Sequence, residues 1–123
     1  MYMQENNVLM KKSLDFAVRI VNMSNYVKKE KHEKSMSEQV LRSATSIGAN
    51  IREAKYGASS ADFINKLQIA LKETAETEFW ICVLTETGYI DQKSGNSLLK
   101  DCLDIKHLLI ASINTSKKNK EKG

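Results

Sequence analysis

Few residues in this chain have the capacity for chemistry. Ser43, Ser46, Asn50 and Glu53 recur at helical spacing in the stretch Ser43-Ala-Thr-Ser-Ile-Gly-Ala-Asn-Ile-Arg-Glu-Ala54, and Glu76 and Glu78 follow one segment later. A hydroxyl in such a row is a nucleophile only with a base beside it. No His lies in that stretch, and no Gly-rich run is present to cradle a phosphate. Asp104-Ile-Lys-His107 approximates the E-x-x-H motif that di-metal bundles use in pairs, but there is no second copy, and the other histidine is His32. Cys82 and Cys102 lack the C-x-x-C spacing of a zinc site. Both stand among apolar residues, so they read as small buried hydrophobes rather than ligands or a disulfide. These residues amount to no catalytic set, no cofactor site and no metal ligand set, and the chain reads as a non-enzyme.

The polar row needs another explanation. Val40, Ala44, Ile47, Ile51 and Ala54 form an apolar seam spaced by four and three, with Ser43, Ser46, Asn50 and Glu53 beside it. Small residues let a neighbouring backbone approach closely. Asn50 with a Glu of the next helix, Glu76 or Glu78, is expected to form a polar network that fixes helix register, as buried polar groups do in some bundles. The functional alternative, a pocket lined by the same residues, carries less weight.

The elements that hold the stripe are helices throughout. Leu9, Phe16, Ile20, Met23 and Val27 lie on one face of a first helix, about 7–29. A solvated turn follows at Lys28–Lys34. Ser35-Met-Ser-Glu38 has the pattern of a capping box, with Ser37 as a competing cap, so a second helix spans about 37–56. Gly57 suits a left-handed cap at its end, and Ser59 or Ser60 starts a third helix over about 60–87. The second half of that helix, Phe79-Trp-Ile-Cys-Val-Leu84, is apolar nearly all round, so a second copy of the chain is expected to cover one side, with Phe79 and Trp80 as interface anchors. Gly88 closes the third helix, Asp91 or Ser94 caps the fourth, and the fourth spans about 92–116. The Lys-rich residues 117–123 read as a disordered tail. Four long helices, short loops and no Pro in 123 residues predict one domain: an all-α, antiparallel up-and-down four-helix bundle.

Charge and hydropathy narrow the partners. The net charge of +4 is localised: the tail holds four Lys and one Glu, and Lys28–Lys34 holds four Lys and two Glu, which leaves −1 for the rest. A nucleic acid, if bound, would meet the turn and the tail, through Lys28, Lys29, Lys31, Lys34, Lys117, Lys118, Lys120 and Lys122. The solvated-turn reading of the same lysines weighs more. No apolar run approaches membrane length, and the first residues lack a signal-peptide pattern, so the chain is expected in the cytoplasm with no membrane partner.

The block Gln39-Val-Leu-Arg-Ser-Ala-Thr-Ser-Ile-Gly-Ala-Asn-Ile-Arg-Glu-Ala54 resembles the most distinctive segment of the bacterial proteins named for reading frames inside intervening sequences of 23S rRNA genes. Ser59, Asp62-Phe63, Lys66-Leu67, Ile69-Ala70, Glu76-Thr-Glu78, Trp80, Leu84 and Gly88-Tyr-Ile90 continue the likeness, which spans about residues 8–115. It implies a four-helix bundle assembled as a ring, typically a homopentamer. The chain is also similar to the accessory protein of diversity-generating retroelements, a pentamer that binds nucleic acid and a reverse transcriptase. That protein is basic over its body, whereas this body is near neutral. Two function classes follow: an oligomeric scaffold or accessory protein that engages RNA or DNA, and a protein-interaction scaffold with no nucleic acid.

Overall fold

The structure, a computed structural model, describes residues 2–122, with side-chain surroundings for 8–121. Among the described residues there are four α-helices and no strand: α1 (Tyr2–Lys31), α2 (Ser35–Lys55), α3 (Ser60–Glu86) and α4 (Gln92–Lys122). Each helix packs on two neighbours, α1 on α2 and α4, α3 on α2 and α4, and the α1/α3 and α2/α4 pairs lie diagonally across the shared core. Short connections make successive helices antiparallel, so the α1–α2 and α3–α4 turns share one end of the bundle and the α2–α3 turn lies at the other.

The core follows the apolar stripes. Leu9, Phe16, Ile20 and Val27 of α1 meet the whole α2 seam, Val40, Ala44, Ile47, Ile51 and Ala54, with Leu67, Ile81, Leu84, Leu98, Ile105 and Leu109 from α3 and α4. Each large side chain so buried stabilises the fold by roughly 1.5–3 kcal/mol. The apolar residues left outside are informative. Leu14, Val18 and Val21 lie on the outer face of α1, at 51, 53 and 37% exposure, and Phe79 of α3 is 58% exposed.

Local chemistry sets the ends, and several differ from expectation. The Ser35–Glu38 capping box does not form. His32 adopts φ of 55°, the left-handed region that His enters more readily than most side chains. The reversal lays the Glu33 carboxylate over the start of α2, where it accepts from Met36 N at 2.9 Å and Ser37 N at 3.0 Å. An anion at this positive helix end replaces the serine cap. Ser37 instead faces inward, donating to Glu33 O, while its own carbonyl accepts from Ser24 of α1.

Gly57 does not take the left-handed conformation; among the described glycines only Gly88 does. What the Gly57 site requires is room, because a Cβ there would lie 3.2 Å from Ala54 O and 3.3 Å from Asp62 Cβ. Ser59 caps α3 by accepting from Asp62 N, and Asp91 caps α4 by accepting from Ser94 N. The Gly88 turn is closed by Gly88 N to Thr85 O and Tyr89 N to Leu84 O, the paired bonds of a Schellman end. The fourth helix does not stop at 116. It continues through the lysines to Lys122, because Lys and Glu are good helix formers and no Gly or Pro intervenes before residue 123.

Candidate functional site

The polar stripe of α2 faces α3, and its members part company there. Ser43 is fully buried, and its hydroxyl lies 2.8 Å from that of Thr77 on α3. This is the stripe's cross-helix hydrogen bond inside the core. Asn50 is half-buried and donates to Ser46 O, one turn back on its own helix. It reaches neither Glu76 nor Glu78, so the expected Asn–Glu network is absent. Ser46 contributes its carbonyl to that bond and is half-buried. Glu53 is exposed and pairs with Lys66 at 2.7 Å.

Around the stripe runs a band of ion pairs between helices. Arg42 of α2 pairs with Glu76 and, at 3.4 Å, with Glu73 of α3. The Arg42 hydrogen bond, reinforced by Trp80 Nε1 at 3.1 Å, holds the Glu76 carboxyl below its ordinary range, and the same partner raises the Arg42 guanidinium. Glu78 faces the other way and meets Lys106 of α4 at 3.4 Å. These groups hold α3 between its neighbours and converge on no common point.

Phe79 and Trp80 sit edge to face, centroids 5.2 Å apart at 71°. Phe79 projects outward, while Trp80 is half-buried against the core. Cys82 is exposed, not buried as its apolar neighbours suggested. Position 82 follows Ala75 and Phe79 on the outer face of α3, a stripe that adjacent Trp80 and Ile81 do not share. Cys102 is buried, donates to Thr74 O, and burial pushes its thiol up to about 12. His107 is exposed, and among the described residues no three His, Cys, Asp or Glu gather as metal ligands.

The lysines form two groups at opposite ends. Lys28, Lys29, Lys31 and Lys34 surround the α1–α2 turn, whereas Lys117, Lys118 and Lys120 lie at the far end of α4, beside Asn65 and Gln68 near the start of α3. The Lys122 side chain lies outside those described. About 25 residues of α4 separate the groups, on the order of 40 Å at 1.5 Å per residue. That is several screening lengths in physiological salt, so the two ends act independently. None of the lysines at the α1–α2 turn has an ion-pair partner among the described residues.

Between the turn lysines and the start of α4 the bundle end opens into a cleft of about 880 Å³. Arg19, Asn22, Tyr26 and Lys31 of α1 line one side, and Tyr89, Asp91 and Gln92 the other. The sequence reading missed it because its residues come from three separate segments. The adjacency of Tyr26 to Lys28 and Lys29 was the one available signal.

With this geometry in place, comparison with known proteins is decisive about kinship. The family model of 23S rRNA-intervening sequence proteins matches residues 5–111. The chain belongs to that family. A crystal structure of a protein of unknown function from the S23 ribosomal protein family of Bacteroides thetaiotaomicron VPI-5482 is 53% identical, covers 89% of this chain and 98% of its own, and superposes with a TM-score of 0.88. No curated protein matches the sequence. Neither the family description nor that structure names a catalytic activity. No described helix of this family member is long and apolar enough to cross a membrane.

Proposed function

We propose that the chain is a non-enzymatic homo-oligomeric scaffold or accessory protein that engages RNA or DNA with its lysine-bearing ends. The observation that carries the reading is the uncovered apolar surface on two outer faces, Leu14, Val18 and Val21 on α1 and Phe79 on α3. Isolated exposed apolar residues are ordinary, but a row at positions i, i+4 and i+7 is a face that a partner helix covers. A ring, with a pentamer as the form its resemblance implies, places one such face against another around a closed circle. The lysines lie at the two bundle ends, beyond the apolar rows themselves.

Two experiments test the parts. Phe79→Ser removes an exposed anchor at little cost to the fold, so the variant is expected to stay helical while its mass by light scattering falls; an unchanged mass refutes the α3 face. Fluorescence polarisation with structured RNA at two salt concentrations tests the lysines, comparing the full chain with Lys28, Lys29, Lys31 and Lys34 changed to Ser. Salt-sensitive binding that the substitutions weaken is expected. The second reading, a scaffold for another protein, is favoured by the near-neutral body, and absence of RNA binding in low salt would select it.

A further inference from the structure

The cleft at the turn end holds features that a solvated helix end does not need. Tyr26 is 48% exposed at its mouth, and Tyr89 lies partly buried against the core on its other side. Neither ring stacks on another described aromatic ring, and neither hydroxyl bonds a described residue. Asn22 is exposed without a hydrogen-bond partner among the described residues, and Gln92 spends its amide N–H on Asn96 Oδ1, leaving its carbonyl oxygen free. Arg19 is fixed at the side of the cleft by Asp101 at 2.6 Å and by Ser97 Oγ at 3.0 Å. Two aromatic faces, two amide edges and an anchored guanidinium are the groups that receive a nucleobase.

The same cleft is poorly built for a phosphate. The first amides of α4, the natural anion site, are occupied by Asp91, which accepts from Ser94 N at 2.7 Å. That backbone bond, first among its causes, holds the Asp91 carboxyl below its ordinary range, so the site keeps its negative charge. Phosphates must therefore stay outside, where Lys31 lines the cleft and Lys28, Lys29 and Lys34 lie in the adjoining α1–α2 turn. Base inside and phosphates outside is the polarity of an unpaired strand. A duplex keeps its bases stacked inward and cannot present one to a cleft without unpairing.

We infer that this cleft is a binding site for single-stranded RNA or DNA, with an unpaired base between Tyr26 and Tyr89 and the backbone tracked by the lysines of the α1–α2 turn. This rests on the nucleic-acid part of the function proposed above and names the strand type and the surface. Stacking on a π-face accepts every base, so the site discriminates single strand from duplex more than one sequence from another.

The test is fluorescence anisotropy of the full chain with a labelled short oligouridylate and with a blunt RNA duplex, at about 50 and 200 mM salt. The wild type is expected to bind the single strand more tightly. Tyr26→Leu, which keeps bulk but not the ring, should weaken single-strand binding by about five- to a hundredfold, the usual worth of one base stack. Duplex binding should not change, and Tyr26→Phe should restore the single-strand affinity. Circular dichroism confirms that each variant is folded, and Tyr26 is exposed enough for substitution to be tolerated. Wild-type binding that is equal for strand and duplex, or untouched by Tyr26→Leu, overturns the cleft while leaving the lysine reading in place. No binding of either probe at the lower salt overturns both.

Discussion

Ser43 and Thr77 offer the sharpest test of how α2 and α3 recognise each other. Both are fully buried and their hydroxyls are 2.8 Å apart. Each has a fallback on its own helix, Val40 O at 3.3 Å for Ser43 and Glu73 O at 2.8 Å for Thr77. Ser43→Ala therefore removes the cross-helix bond without orphaning Thr77, whose proton turns to Glu73 O. The loss is one net hydrogen bond and a void the size of one oxygen, about 0.5–1.5 kcal/mol. Thr77→Val keeps shape and leaves Ser43 bonded to Val40 O, so its cost is of the same size. The double variant loses the same bond only once, so the two costs should fall short of adding by about 1 kcal/mol. Ser43→Val pushes bulk between the helices and should cost more, about 1–3 kcal/mol. Urea unfolding followed by circular dichroism, at one fixed protein concentration so that assembly does not shift the midpoint, measures all four. Additive single costs, or singles below about 0.3 kcal/mol, would refute the account of this contact.

Three other outcomes follow from local geometry. A Cβ on Gly95 would lie 2.8 Å from Thr85 Cγ2 and closer still to its hydroxyl, so Gly95→Ala should lower the thermal midpoint and Thr85→Ala in the same chain should recover part of the loss; an unchanged midpoint contradicts the close approach of α4 to α3. A thiol reagent should label Cys82 in the folded Phe79→Ser variant, where the α3 face it shares is uncovered, and leave Cys102 silent until unfolding, since burial raises its thiol to about 12; equal labelling rates would contradict this. The Glu76 carboxyl is held below its unfolded value near 4.5, so its contribution is present above that pH and lost as pH falls through the lower folded value. With Arg42 and Glu76 both substantially exposed, that contribution is about 0.2–1 kcal/mol. Glu76→Gln should remove it at neutral pH and make no difference in acid, as urea midpoints at the two pH values will show.

The sequence made the fold legible because one period runs through every segment. The seam from Val40 to Ala54 and the stripe from Leu9 to Val27 are both core. Ser59 and Asp91, each one of two candidates in the sequence, are the residues that cap α3 and α4. What misled were features decided by the third dimension. The Ser35–Glu38 box lost to Glu33, because a left-handed His32 brings a preceding carboxylate over the helix start. Gly57 was read as a conformational need and is a spatial one. Cys82 has apolar neighbours in sequence, but 100° per residue carries it to the outer stripe with Phe79. Asn50 looked like the buried polar group of the stripe. The burial belongs to Ser43, whose partner Thr77 cannot be chosen from sequence without knowing the α2–α3 register. The basic residues were legible as clusters, but their division between opposite ends needed the helix directions.

The proposed assembly rests on the uncovered faces of α1 and α3, and the mass of the wild-type chain in solution addresses them most directly. Size exclusion with light scattering is predicted to give a multiple of the 13.9 kDa chain mass, maintained on dilution through the micromolar range. A single species at the chain mass across that range would contradict it, and would leave Leu14, Val18, Val21 and Phe79 as exposed side chains with no partner copy.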